Sequence, residues 1–335
     1  MKPEFTKKPE FMHLAAREKS NQFTLFQEIL NFFVVFLIAT IATSLIGSIP
    51  MMFWFLSGER AATILAAGVN PNAMLEAFFR LYEQLPPAMT ALIIALSGLL
   101  GVAAILYCRR FERRSVKSMG LTGPHALPSW LLGALLGALS FSAVAGMASA
   151  FGGISISGLR PLEGLLPTVA LLFVAFVLES FGEELLVRGY LMVSLSVRQR
   201  LAASVALSSI VFGMLEVSNI GLQPLAYINV VLLGVVLALL VLLSGNLWSA
   251  CGYHALWDFF RSCVFGLSDA EAEAEESLLQ VSVTGHSSLL TGGYYGLTAS
   301  LSATFVLLAS IGILVFLLSR RTPDPVEPED ADSME

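Results

Sequence analysis

Eight ionisable residues stand out because of where they occur. Glu179, Glu183, Glu184 and Arg188 lie in one long apolar stretch, Glu216 in a second, and His254, Asp258 and Arg261 in a third. Charged groups inside such stretches are costly, and chains that keep them usually use them. Residues four apart on a helix share a face. Glu184 and Arg188 are therefore placed to pair, Glu179 and Glu183 share a face, and so do His254 and Asp258. Glu183 points about 100° away from Glu184. A carboxylate stripped of water keeps its proton to higher pH and serves as a general base near neutrality. Beside a histidine, such a glutamate has what is needed to activate water for amide hydrolysis. The same residues also fit two other readings: buried ion pairs that hold helices together, or a proton or ion pathway.

The elements that must position these residues are membrane helices. Of 335 residues, 56% are hydrophobic and only 13% are charged, against roughly 25% charged in globular proteins. A soluble protein so apolar could not cover its surface. No basic patch is concentrated enough for nucleic acid. Spanning a bilayer takes about 20 apolar residues. Eight segments qualify: 29–52, 88–107, 130–151, 165–187, 201–217, 224–243, 247–265 and 298–318, the fifth and seventh being short or polar. The expected fold is an all-α polytopic transmembrane helical bundle of about eight spans.

Lysine and arginine placement orients it. Lys2, Lys7, Lys8, Arg17 and Lys19 precede the first span. Arg109, Arg110, Arg113, Arg114 and Lys117 follow the second, Arg198 and Arg200 the fourth, and Arg320 and Arg321 the eighth. Eight spans put all of these on one side, predicted to be cytoplasmic with both termini there; the other side receives Arg60, Arg80 and Arg160. The polar residues 1–21 do not read as a cleavable signal. The chain divides into a cytoplasmic segment 1–28, two spans with an outer loop at 29–107, a membrane domain at 108–318, and an acidic tail at 319–335 expected to be disordered. The outer loop 57–87 holds a predicted short surface helix at 73–85. The basic linker 109–127 is predicted to be amphipathic, and the acidic run from Asp269 to Glu276 a solvated loop. Glu183 would lie about four residues, or roughly 6 Å, from the inner end of its span, and His254 roughly 11 Å from the same side.

Three stretches carry a resemblance. Glu183-Glu184-Leu185-Leu186-Val187-Arg188, followed by Gly189-Tyr190-Leu191, resembles the first motif of the CAAX prenyl protease and bacteriocin-processing family (CPBP), also called the Abi family of intramembrane glutamic proteases. The run Ser208-Ser209-Ile210-Val211-Phe212-Gly213-Met214-Leu215-Glu216 resembles its second, Phe-x-x-x-His. Gly252-Tyr253-His254-Ala255-Leu256-Trp257-Asp258-Phe259 resembles its third, His-x-x-x-Asn/Asp. The resemblance covers roughly 109–318. It implies an intramembrane endopeptidase acting on a membrane-associated peptide or protein, in contact with membrane lipids, in a bacterial cytoplasmic membrane. It implies that Glu183 activates the attacking water, that Glu184 and Arg188 form a structural pair beside it, and that His254 and Asp258 orient water and stabilise the oxyanion. A carboxylate cannot donate a hydrogen bond, so Asp258 would act protonated or through another donor; Arg261, three residues on, can instead pair with it.

One residue departs from the pattern. Glu216 stands where the second motif ends in histidine. It brings a negative charge near Glu183 and cannot replace an imidazole donor unless protonated. This motivates an alternative: a catalytically impaired relative acting as a membrane scaffold or binding protein. No cofactor is expected. His13, His125 and His286 lie outside the spans and no His-Glu-x-x-His occurs, so a zinc site is short of ligands; a divalent metal held largely by carboxylates is the alternative. Cys108, Cys251 and Cys263 have no disulfide or metal spacing.

Overall fold

The structure, a computed structural model, describes residues 8–320 apart from 22, 67, 69, 83, 124, 217–222 and 268–276. The acidic run and the acidic tail expected from the sequence therefore lie outside the described residues. The architecture is an all-α helical bundle. Its elements are α1 (Glu10–Glu18), α2 (Leu25–Phe55), α3 (Glu59–Ala66), α4 (Pro71–Tyr82), α5 (Pro87–Glu112), α6 (Ala126–Ala150), α7 (Leu165–Arg198), α8 (Leu201–Leu215), α9 (Pro224–Ser244), α10 (Trp248–Phe259, continuing as a π-helix Phe260–Val264) and α11 (Leu301–Ser319). Six of these, α2, α5, α6, α7, α9 and α11, are long and apolar enough to cross a membrane, and the chain is an integral membrane protein. α8 and α10, which fill the fifth and seventh expected spans, are shorter.

Local sequence sets the helix ends. Thr24 and Gln27 form a reciprocal capping box at the start of α2, Thr24 accepting from the Gln27 amide at 3.3 Å and Gln27 from the Thr24 amide at 2.9 Å. α9 begins on Pro224, whose missing N–H costs nothing at a helix start, and stops at Gly245 with φ 72°. α9 is the most enclosed of the six long helices, its residues from Val236 to Leu242 all buried, whereas α2 presents Leu37, Ile38, Ile41 and Leu45 outward. That outward surface is what a helix facing lipid should show.

Small residues let the backbones meet, as is usual in membrane helix packing. Gly133 and Gly137 of α6 lie beside Ser249 and Tyr253 of α10, so these helices run parallel. Gly98 and Gly101 of α5 lie beside Leu178 and Gly182 of α7, again in parallel, while Gly213 and Gly234 tie α8 to α9 in antiparallel sense. The directions are those that alternate spans impose. A β-carbon on Gly133 would stand 1.9 Å from the Ser249 carbonyl oxygen, and one on Gly252 would stand 2.0 Å from that of Trp130. Gly133→Ala is therefore expected to cost about 1–3 kcal/mol, as overpacked cores do, read as earlier thermal unfolding in detergent. Gly146→Ala on the same helix, with open space at its β-carbon position, should unfold like the natural protein.

α6 and α10 end towards a two-stranded antiparallel pair, β1 (Ile154–Leu159) with β2 (Leu279–Val283), in register Ile154 to Val283 and bulged between Ile156 and Gly158. Of the outer loop 57–87, the structure makes two short helices, α3 and α4. The basic segments gather at the opposite end. There the Leu247 amide donates to the Gly120 carbonyl at 2.9 Å, and the linker meets α1.

Two features at that end were not legible in the sequence. The linker after α5 has little helix of its own: between Glu112 and Ala126 the described residues form one 3-10 turn, Lys117–Met119. Buried pairs explain its shape. Arg114 Nε donates to Glu112 at 2.6 Å, Lys19 reaches the other Glu112 oxygen at 2.8 Å and also binds Glu28, and Ser194 donates to Glu112 at 2.9 Å. These contacts fold the linker inward, against α1 and α7. Secondly, the helix that carries Glu183 does not stop near Val187. It runs on to Arg198, π-helical from Leu185 to Met192. Arg188 does not end it because its charge is matched within the protein, and Gly189, Tyr190 and Leu191 beyond it are fully buried. The glutamates thus sit mid-helix rather than at an end.

Candidate active site

Three helices converge on the ionisable residues. α7 brings Glu179, Glu183, Glu184 and Arg188, α10 brings His254, Asp258 and Arg261, and α8 ends at Glu216. Relative to the linker, which touches Gly189 at Met119 and Leu247 at Gly120, Glu183 lies about six residues deeper and His254 about seven, roughly 9 to 11 Å. The two groups therefore reach a common level. The α-to-π transition falls directly after Glu184; such bulges are frequent at functional sites.

Glu184 is the anchor. Arg188 Nη1 donates to its Oε1 at 2.7 Å, one turn along the helix, and both side chains are fully buried. Arg188 Nη2 donates to the Gly234 carbonyl of α9 at 3.1 Å. Its guanidinium also lies 4.4 Å from the ring centroid of Phe212, a cation–π contact. His254 Nδ1 lies 3.1 Å from the same Glu184 oxygen. The sequence separates Glu184 from the histidine and gives it only the structural pair, yet the structure makes Glu184 the nearer glutamate. Its position between Arg188 and His254 ties α7 to α10.

The other ring nitrogen faces the open side of the site. His254 Nε2 is 3.1 Å from Asp258 Oδ2 and 3.9 Å from Glu183 Oε2. Arg261 Nη2 is 3.3 Å from Asp258 Oδ1, so Asp258 takes the partner its spacing offers. A neutral imidazole has one N–H. With carboxylates at both nitrogens, either the ring carries two protons or one partner carries one. Phe212 meets the imidazole edge-on, its centroid 5.6 Å away, and limits how the ring turns.

Glu183 differs from its neighbour. Its nearest ion-pair contact is the 3.9 Å one, beyond hydrogen-bond length, and 18% of its side chain is exposed where Glu184 shows none. Glu216, whose reach the sequence leaves undetermined, joins the site: it interacts electrostatically with Glu183, Glu179 and Arg261. Five carboxylates thus face three groups able to carry positive charge. Among the described residues no three His, Cys, Asp or Glu side chains are arranged as a metal site.

Some contributors were not singled out from sequence. Phe212 opens the second motif, and that position was its signal. Gly234 supplies a carbonyl and close approach, which nothing in an apolar run announces. Tyr295, in a run Gly-Gly-Tyr-Tyr-Gly at 292–296 just before α11, places its ring centroid 5.9 Å from the Arg261 guanidinium carbon. Burial, partly offset by Arg261, holds its phenol above the usual range, so it faces the cluster as a neutral hydroxyl.

The fold and the cluster define a polytopic membrane protein with an ionisable centre enclosed by three helices. Residues 165–260, just under a third of the chain, match the family model described as type II CAAX prenyl endopeptidase Rce1-like. The matched segment contains all three motifs that resemble those of CAAX-type proteases. No curated protein and no solved structure matches the chain.

Proposed function

We propose that the protein is an intramembrane endopeptidase that hydrolyses a peptide bond of a membrane-associated substrate with water activated by Glu183. The observation that carries this reading is the 3.9 Å gap between Glu183 Oε2 and His254 Nε2. It is too long for a direct hydrogen bond, yet one water can lie about 2.8 Å from both atoms. Glu183 takes the proton as general base. His254, fixed by Glu184 and Asp258, orients the water, and Glu183 later passes the proton it has taken to the leaving amine. Asp258 accepts rather than donates, so oxyanion stabilisation falls to other groups. Arg261 is the candidate, since its Nε has no partner among the described residues while Nη2 holds Asp258. Its positive charge takes the place of a histidine at 216. No metal or cofactor is invoked.

A second reading rests on Glu216. If glutamate there prevents the chemistry, the same bundle serves as a membrane scaffold or binding protein. The two are separated by reconstituting the natural protein and Glu216→His in vesicles with membrane-anchored peptides, including ones ending in a lipidated cysteine. Cleavage by the natural protein is the expected result. Cleavage by Glu216→His alone would favour the scaffold, with an active site disabled at one position.

A further inference from the structure

We propose that a groove at the basic end of the bundle binds one anionic glycerophospholipid, its phosphate among Lys8, Arg198 and Arg200 and its acyl chains between α8, α9 and α11. The groove encloses 990 Å³, near the top of the 300–1,000 Å³ range of small-molecule pockets. Its floor is apolar and comes from three membrane helices: Val205 and Ala206 of α8, Leu239 and Leu242 of α9, and Ile311 and Val315 of α11. Its mouth carries the three cations, and among the described residues no carboxylate lines it.

The two halves call for one kind of molecule. The floor opens beside α11, whose Leu308, Ile313 and Phe316 are exposed apolar side chains, so its occupant arrives from the lipid and is a hydrocarbon. The cations sit where these helices meet the basic segments, at headgroup level, and require an anion there. Both are joined in a phospholipid with net negative charge. Two of the cations are also held in place. Arg198 donates to the Phe23 carbonyl at 3.0 Å and Lys8 to the Ser196 carbonyl, which brings the residues before α1 and α2 to the same mouth. Basic pockets between membrane helices are a recurrent way to hold anionic headgroups.

The groove is separate from the ionisable centre. On α8 the centre is met by Phe212 and adjoined by Ser209, which packs on Gly234. Val205 and Ala206 face the groove instead. A bound lipid would brace α8, whose far end is Glu216.

The test is native mass spectrometry of the full-length protein with phosphatidylglycerol or phosphatidylcholine of identical chains. One phosphatidylglycerol is expected to bind in preference to phosphatidylcholine. Replacing both arginines, Arg198→Gln with Arg200→Gln, should weaken that preference about thirtyfold, at the energy a basic residue contributes near an anionic surface. Ala206→Trp, an exposed position, should reduce binding by filling the floor with the cations intact. Glycerol 3-phosphate and inorganic phosphate should compete poorly, lacking chains. Equal binding of the two lipids by the natural protein would overturn the proposal, whatever the variants do. So would competition by glycerol 3-phosphate as strong as that by the lipid.

Discussion

Glu183→Gln is expected to lower cleavage of a membrane-anchored substrate by 10²- to 10⁴-fold, the usual contribution of a general base, while the protein stays folded. Glutamine keeps the shape and hydrogen-bonding capacity of the side chain but accepts no proton. The fold should not depend on the lost charge, because among the described residues the ion-pair contact of Glu183 is the 3.9 Å one and its side chain is partly exposed. Thermal unfolding within about 1 kcal/mol of the natural protein is the matching stability result. Collapse of the fold would mean that Glu183 is one of the structural ion pairs and not the base.

The other large effect concerns stability. Arg188→Ala should destabilise the protein by about 3–5 kcal/mol, the loss seen when one partner of a buried pair is removed. Arg188 has no exposed surface, and its loss strands Glu184, leaves the Gly234 carbonyl unpaired and removes the stacking on Phe212. The double replacement Glu184→Leu with Arg188→Met should recover much of the loss, since well-packed apolar residues often equal a buried pair in stability. Recovery would be incomplete to the extent that His254 loses its Glu184 contact. Thermal unfolding of the two singles and the double, read as a cycle, measures this coupling.

These two glutamates show how far the sequence carries. The pairing of Glu184 with Arg188 follows from spacing alone, and so does that of Asp258 with Arg261, because both are contacts within one helix. The choice His254 makes between Glu183 and Glu184 does not follow. It depends on how α10 is rotated against α7, a relation between helices that no spacing within either one encodes. The inner boundary of α7 was misplaced for a related reason. A charge in an apolar run reads as its end, but Arg188 is neutralised inside the bundle and the helix continues to Arg198. The linker takes its inward path because Glu112, Arg114 and Lys19 find one another across distant parts of the chain. No local pattern encodes such a cluster.

Glu216 is the reverse case. Its chemistry is plain in the sequence and its location is not. It ends α8 and acts on Glu183 and Arg261 through space. A histidine there would bring a donor and possible positive charge. Glutamate leaves Arg261 and the neutral hydroxyl of Tyr295 as the cationic and donor groups on that side. The proposed chemistry therefore depends on groups that the three motifs alone do not include.

The account is tested most directly by comparing membranes that contain the natural protein with membranes that contain Glu183→Gln at equal abundance, using quantitative mass spectrometry of peptides. It predicts pairs of fragments from a membrane-associated protein, their masses together equal to the parent plus one water, present with the natural protein and absent with Glu183→Gln. The same fragments at the same levels in both membranes would contradict the role given to Glu183.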